Sequence, residues 1–239
     1  KGRLYPEGHV LHNVETVEIR HMTAKDEDIL TSESLIKKGI VLDRLLQSVM
    51  IDKTIDVNDL IVGDKNALLI ACRKYGYGSQ YDTTITCPSC FEAQEFCFDI
   101  DEWKEKELDL EEFNVTQTPS CTFIAETPIS KVSVEFKLLT TKDVEIVEKI
   151  SERNKKLNLP SSAATDFLVA TIVSVNGYDD KVSIQNFINS VPAKDSSYLR
   201  KLYDAISPNI DSMSTFTCNL CDFSEAVEVP LDASFFWPK

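Results

Sequence analysis

The sequence predicts an α+β fold of two similar strand-plus-helices units, an internal duplication arranged about a pseudo-twofold axis. Three observations predict it. The 239 residues carry strand-like and helix-like apolar periods, enough chain to bury a core as one large domain or two small ones. A strand–turn–helix segment recurs at a constant offset of 117 residues. Finally, two C-x₂-C pairs, Cys87-Pro88-Ser89-Cys90 and Cys218-Asn219-Leu220-Cys221, stand late in each half.

The elements follow in order. Residues 1–11 carry Gly2, Pro6 and Gly8 and read as an irregular arm. Residues 13–22 alternate Val17 and Ile19 with Glu18 and Arg20, a strand pattern. Thr23 then caps a helix with Asp26 at its third position, a capping-box arrangement. Leu35, Ile36, Leu42, Leu45, Leu46 and Val49 form a helical stripe over residues 35–50. A short helix over residues 67–74 stops at Tyr75-Gly76-Tyr77-Gly78, and Phe96, Phe98 and Ile100 mark a strand after the first cysteine pair. Residues 101–131, acidic and then rich in Thr, Ser and Pro, read as a connector. The pattern then restarts with a strand over 132–139 and a helix capped by Thr140, with Asp143 third, running to about Leu157. Helices are expected over 163–175, 184–190 and 196–206, and a strand around Val227, Val229 and Leu231.

Laying Val17–Leu30 on Val134–Val147 needs no gap and gives six identities in fourteen positions, Thr23/Thr140 and Asp26/Asp143 among them. Arg20/Lys137 and Met22/Leu139 are close substitutions. The cysteine pairs align at an offset of 131, with Thr84/Thr215, Thr86/Thr217, Cys87/Cys218, Cys90/Cys221, Phe96/Val227 and Phe98/Val229. Two segments in one order at nearly one spacing imply a duplicated unit: 1–100 with the first knuckle, and 132–239 with the second knuckle and an aromatic tail.

A C-x₂-C turn lets two thiolates bind one tetrahedral ion without strain, and four thiolates at about 2.3 Å complete a closed Zn²⁺ site. Cys87, Cys90, Cys218 and Cys221 are therefore the expected ligands of one structural zinc, a four-cysteine zinc ribbon whose halves, Cys90 and Cys218, are 128 residues apart in sequence. Closing a loop of that size removes roughly 4–5 kcal/mol of unfolded-chain entropy on a cross-link analogy. A closed site holds no position for a reacting water, so a zinc hydrolase is a poor reading. Cys72 and Cys97 read as packing residues, and Cys121 is unpaired in sequence. His9 and His12 lie in the arm with no ligand set nearby, and no nucleophile elbow, phosphate loop or dinucleotide loop is present.

With 39 acids against 25 bases and a net charge of −14, the surface repels phosphate backbones. The densest run, Asp99 to Glu112, holds eight acids against Lys104 and Lys106. Paired cysteines without a signal peptide in view suggest metal in a reducing compartment and a soluble intracellular product. The longest apolar run, near 167–175, is far short of a membrane span. The tail residues Phe235, Phe236, Trp237 and Pro238 either close the core or anchor a partner, and both alternatives stay open.

Several features now stand together: Val17 to Arg20 with Met22-Thr23 and Asp26-Glu27, the helix end Arg73-Lys74-Tyr75-Gly76-Tyr77-Gly78, the two cysteine pairs and the terminal Phe-Phe-Trp-Pro. In these the chain resembles the baseplate hub proteins of T4-type contractile-tailed bacteriophages. The resemblance implies no enzymatic activity. It implies a virion component of the tail baseplate, assembled in the host cytoplasm among other hub and tail proteins; the charge, the short apolar run and the lack of catalytic motifs add the expectation of no nucleic acid, no membrane span and no small-molecule substrate. The competing reading is a zinc-ribbon adaptor on nucleic acid or transcription or replication machinery, which the knuckles fit and the charge opposes.

Overall fold

A computed structural model describes residues 2–106, 108, 113–156, 163–229, 231 and 233–236. In chain order come α1 (Ala24–Leu30), α2 (Glu33–Lys37), α3 (Val41–Val49) and α4 (Val62–Tyr77). The hairpin β1 (Gln80–Thr86) and β2 (Ala93–Asp99) follows, then β3 (Lys104–Glu105), β4 (Thr116–Gln117), β5 (Phe123–Glu126) and β6 (Ser133–Phe136). Next are α5 (Thr141–Lys156), α6 (Ala163–Thr171), β7 (Ile172–Val175), α7 (Lys181–Ser190) and α8 (Ala193–Ile206). β8 (Ile210–Asp211) and a second hairpin, β9 (Met213–Thr217) and β10 (Ser224–Glu228), complete the order. This is a mixed α+β architecture with small antiparallel sheets.

The chain forms two compact units. The first comprises Lys1–Thr16, Asn58–Val62 and Glu107–Pro208. Its sheet has the order β4-β5-β6-β7, all antiparallel. Alternation sends Phe123 and Ala125 of β5 and Val134 and Phe136 of β6 inward, where Phe123 and Phe136 stack at 5.9 Å. Buried Asp195 of α8 accepts from the Ile129 N–H at 2.8 Å and the Ser130 N–H at 2.9 Å, so it pins the β5–β6 turn. The N-terminal arm is packed rather than loose. Leu4, Tyr5 and Leu11 are buried, and a Cβ on Gly2 would lie 2.4 Å from the Val14 backbone.

The second unit comprises Val17–Val57, Gly63–Lys106 and Asn209–Lys239. Leu30, Leu45, Leu46, Val49 and Met50 are buried where α1 meets α3. Buried Arg73 of α4 holds the tail: its Nε donates to the Phe235 carbonyl at 3.0 Å, and its two Nη atoms donate to Gly78 and Gln80 carbonyls. Phe235 and Phe236 are buried, with the Phe235 ring 5.1 Å from Tyr81 and 6.0 Å from Trp103. Trp237, Pro238 and Leu157 lie outside the described residues, as do Glu107, Asp109, Glu111 and Glu112 of the acidic run.

Several expectations are corrected. The strand over 13–22 reduces to one bridge, Ile19 with Met50, because its partner offers only a short stretch of chain. The helix over 35–50 breaks into α2 and α3 at Gly39, whose φ of 70° is left-handed. The helix expected over 163–175 ends at Thr171, since the β-branched run Ile172-Val173-Ser174-Val175 pairs with β6. The stretch 101–131 carries β3, β4 and β5, and α4 is longer than expected, enclosing Gly76 and stopping at Gly78. Cys97, expected as a packing residue, is exposed because alternation along β2 turns Phe96 and Phe98 inward instead.

The two aligned segments have the same local geometry. The Asp26 carboxylate accepts from the Thr23 N–H at 2.8 Å and hydroxyl at 2.9 Å; Asp143 accepts from Thr140 at 3.0 and 2.9 Å. Arg20 reaches Asp26 at 2.7 Å and Lys137 reaches Asp143 at 2.7 Å. The Arg20 N–H meets the Val49 carbonyl and the Lys137 N–H the Thr171 carbonyl, both at 2.9 Å, so each segment lies against the end of a later helix.

Candidate metal centre

Each C-x₂-C pair forms the turn of a hairpin. In the first, Thr86 pairs with Ala93 and the intervening loop is residues 87–92; in the second, Thr217 pairs with Ser224 around 218–223. Each loop is closed by the same backbone bond, the Cys87 N–H to the Glu92 carbonyl at 3.0 Å and the Cys218 N–H to the Phe223 carbonyl at 2.8 Å. The residue four after the first cysteine is left-handed in both, Phe91 at φ 61° and Asp222 at φ 55°.

The hairpins lie together in the second unit, and the Asn219 N–H donates to Gln94 Oε1 at 3.1 Å across them. All four Sγ atoms lie within 4.8 Å of one another. Cys87 faces Cys221 and Cys90 faces Cys218, each at 3.7 Å, so exchanging the two knuckles maps one contact onto the other. Four thiolates at tetrahedral corners around Zn²⁺ would be about 3.8 Å apart, given Zn–S bonds of about 2.3 Å. The residues therefore fit a tetrahedral ion. The donor set, four soft sulfurs, suits zinc or iron rather than magnesium or calcium.

The surroundings favour the same use. Cys87 and Cys218 are buried with Phe216, and Ile85, Phe96, Phe223 and Val227 pack against them. Phe96 meets Phe216 edge-on at 5.4 Å. Cys90 is half-buried and Cys221 exposed, so one side of the centre rests on an apolar floor and the other faces outward. The Leu220 N–H, 3.4 Å from the Cys218 sulfur, and the Cys221 N–H hold the Cys218 thiol down at about 6. At Cys90 a backbone bond at Glu92 lowers the pKa, but desolvation and three neighbouring sulfurs outweigh it and push it up to about 12. Sulfurs this crowded resist a shared negative charge unless a cation sits among them.

The remaining sequence candidates lie elsewhere. His12 Nδ1 is 2.7 Å from the Tyr5 carbonyl and its Nε2 is 2.9 Å from the Asn13 amide, while His9 Nδ1 accepts from the Leu11 N–H. These rings fasten the arm. Cys72 is buried in α4, where desolvation pushes its thiol up to about 12, and Cys121 is half-buried at a left-handed position. Sequence reading missed three working residues: Arg73 as the tail clamp, Gln94 as the tie between hairpins, and Phe91. Phe91 did carry a signal, being an aromatic in a turn position that favours Asn, Asp or Gly.

The family described as T4 bacteriophage base plate protein matches residues 6–237. The chain belongs to that family. It is a structural protein of the phage tail baseplate, and its partners are proteins of the tail. No curated protein matches the chain, and no solved structure does. Among the described residues, no helix of this baseplate protein is long and apolar enough to cross a membrane.

Proposed function

We propose that the chain is a non-enzymatic subunit of the central hub of the baseplate, held in shape by one structural zinc on Cys87, Cys90, Cys218 and Cys221. The paired 3.7 Å sulfur contacts between two knuckles so distant in sequence carry this reading. Zinc would close the loop from 90 to 218 and lock the two hairpins side by side, with all four positions taken by protein and none left for chemistry. The matched carboxylate cages and matched knuckle turns support an internal duplication, with units 1–100 and 132–239 and residues 101–131 between them. A nucleic-acid adaptor fits less well: residues 75–103 and 202–238, which hold both knuckles, contain no Lys or Arg.

Hubs separated from the outer baseplate parts, then assayed for this chain and for metal, test the proposal. The expected result is this chain in the hub with one zinc per copy. Finding it only in the outer parts would remove the hub assignment, and metal-free protein in intact tails would remove the zinc.

A further inference from the structure

The two knuckles have the same backbone but opposite chemistry at their left-handed residue. Asp222 tolerates φ 55° because a short polar side chain can bond locally, whereas an aromatic at φ 61° is strained by roughly 1–2 kcal/mol. Phe91 recovers nothing by packing inward, since it is 79% exposed. The turn is over-determined: the Phe91 N–H donates to the Cys87 carbonyl at 2.9 Å, and the Cys87 N–H is tied to Glu92. Strain kept in a fixed turn, with the ring held in water, is a mark of a functional site. Leu220, 68% exposed, stands next to Cys221 as Phe91 stands next to Cys90, so both apolar side chains flank one sulfur cluster. In the two knuckle loops and the strands that leave them, Glu92, Glu95, Asp222 and Glu225 are exposed.

We propose that Phe91 and Leu220 form a docking tip for another tail protein that offers an apolar pocket rimmed by Lys and Arg. The charge pattern selects that occupant. A tip on two hairpins that carry exposed acids and no Lys or Arg repels a second copy of itself and repels nucleic acid, but complements a basic rim. An exposed aromatic and an exposed leucine on a rigid turn are anchors whose burial drives association while the acids orient it. The proposal rests on the metal-held hairpins described above, since only a fixed pair of knuckles presents both anchors together.

The test uses the full-length chain with Phe91→Ser and Leu220→Ser combined, and separately with Glu92→Lys and Glu225→Lys. Each is added to a tail-assembly extract from a phage defective in this subunit, and its incorporation into baseplates is measured by sedimentation. Both variants should keep wild-type zinc content and melting temperature while incorporation falls at least about tenfold. Benzoylphenylalanine in place of Phe91 should cross-link to a tail protein at a Lys- or Arg-lined surface. Wild-type incorporation of the Ser variant, or a cross-link to a second copy of this chain, would overturn the docking tip and leave the zinc reading standing. Incorporation insensitive to charge reversal would overturn the basic rim. Loss of zinc in wild-type protein would strike the metal reading instead.

Discussion

Asp26 and Asp143 occupy matching places 117 residues apart, each at the third position of a Thr-capped helix with a cation six residues upstream. They differ in what surrounds them. Asp26 is fully buried, gripped by both Arg20 nitrogens at 2.7 and 2.9 Å and by the Ser48 hydroxyl at 2.7 Å. Asp143 has a single Lys137 nitrogen at 2.7 Å and keeps a fifth of its side chain in water. One motif can thus be a buried anchor in one place and a surface cap in another. The planar guanidinium fork makes the difference, because a lysine ammonium offers one point charge to a carboxylate that needs several donors.

The largest way to break this comparison is Arg20→Ala, which strands a buried carboxylate and should cost about 3–5 kcal/mol in chemical denaturation. Lys137→Ala should cost about 1 kcal/mol or less, because water replaces the lost donor. Equal losses would dissolve the distinction. Acid sharpens it further. Both carboxyls are held below their ordinary values, Asp26 by Arg20, Ser48 and Thr23, and Asp143, against an opposing desolvation, by Lys137 and Thr140. A lowered folded pKa contributes stability that is complete above the unfolded value near about 4 and is lost as pH falls through the folded value. Melting temperatures from pH 7 to pH 3 should therefore converge between wild type and Asp26→Asn on the acid side, with a smaller convergence for Asp143→Asn. Because each is a difference between variants, acid release of metal from the thiolates does not mimic it.

The smallest effect belongs to the knuckles. Phe91→Gly relieves the left-handed strain and should stabilise the fold by a few tenths to about 1 kcal/mol, whereas Asp222→Gly should change little. Destabilisation by Phe91→Gly would mean that the ring packs in the isolated protein after all.

The cysteine spacing made the gathering of Cys87, Cys90, Cys218 and Cys221 legible, because two C-x₂-C turns in one chain have few uses besides bringing four sulfurs together. The Thr23 and Thr140 caps were equally legible, since a capping box is a local device. Long-range partners were not. The Phe235 carbonyl is bonded by Arg73, 162 residues away, and no period in either segment announces that bond. Nor does local pattern reveal that the Ile172 run leaves its helix to pair with β6, because apolar β-branched residues suit a buried helix or a strand until a partner decides. Cys97 failed for a smaller reason: its strand was foreseen, but which face of it met the core was not.

The most direct measurement is metal content and thermal stability on purified protein, for wild type and Cys218→Ser, before and after chelation. The account predicts one zinc per wild-type chain, and a melting temperature that falls by more than about 10 °C on chelation and in the variant alike, since a closed thiolate site contributes free energy comparable to that of a whole domain. A metal-free wild-type chain whose melting temperature is indifferent to Cys218→Ser would contradict it.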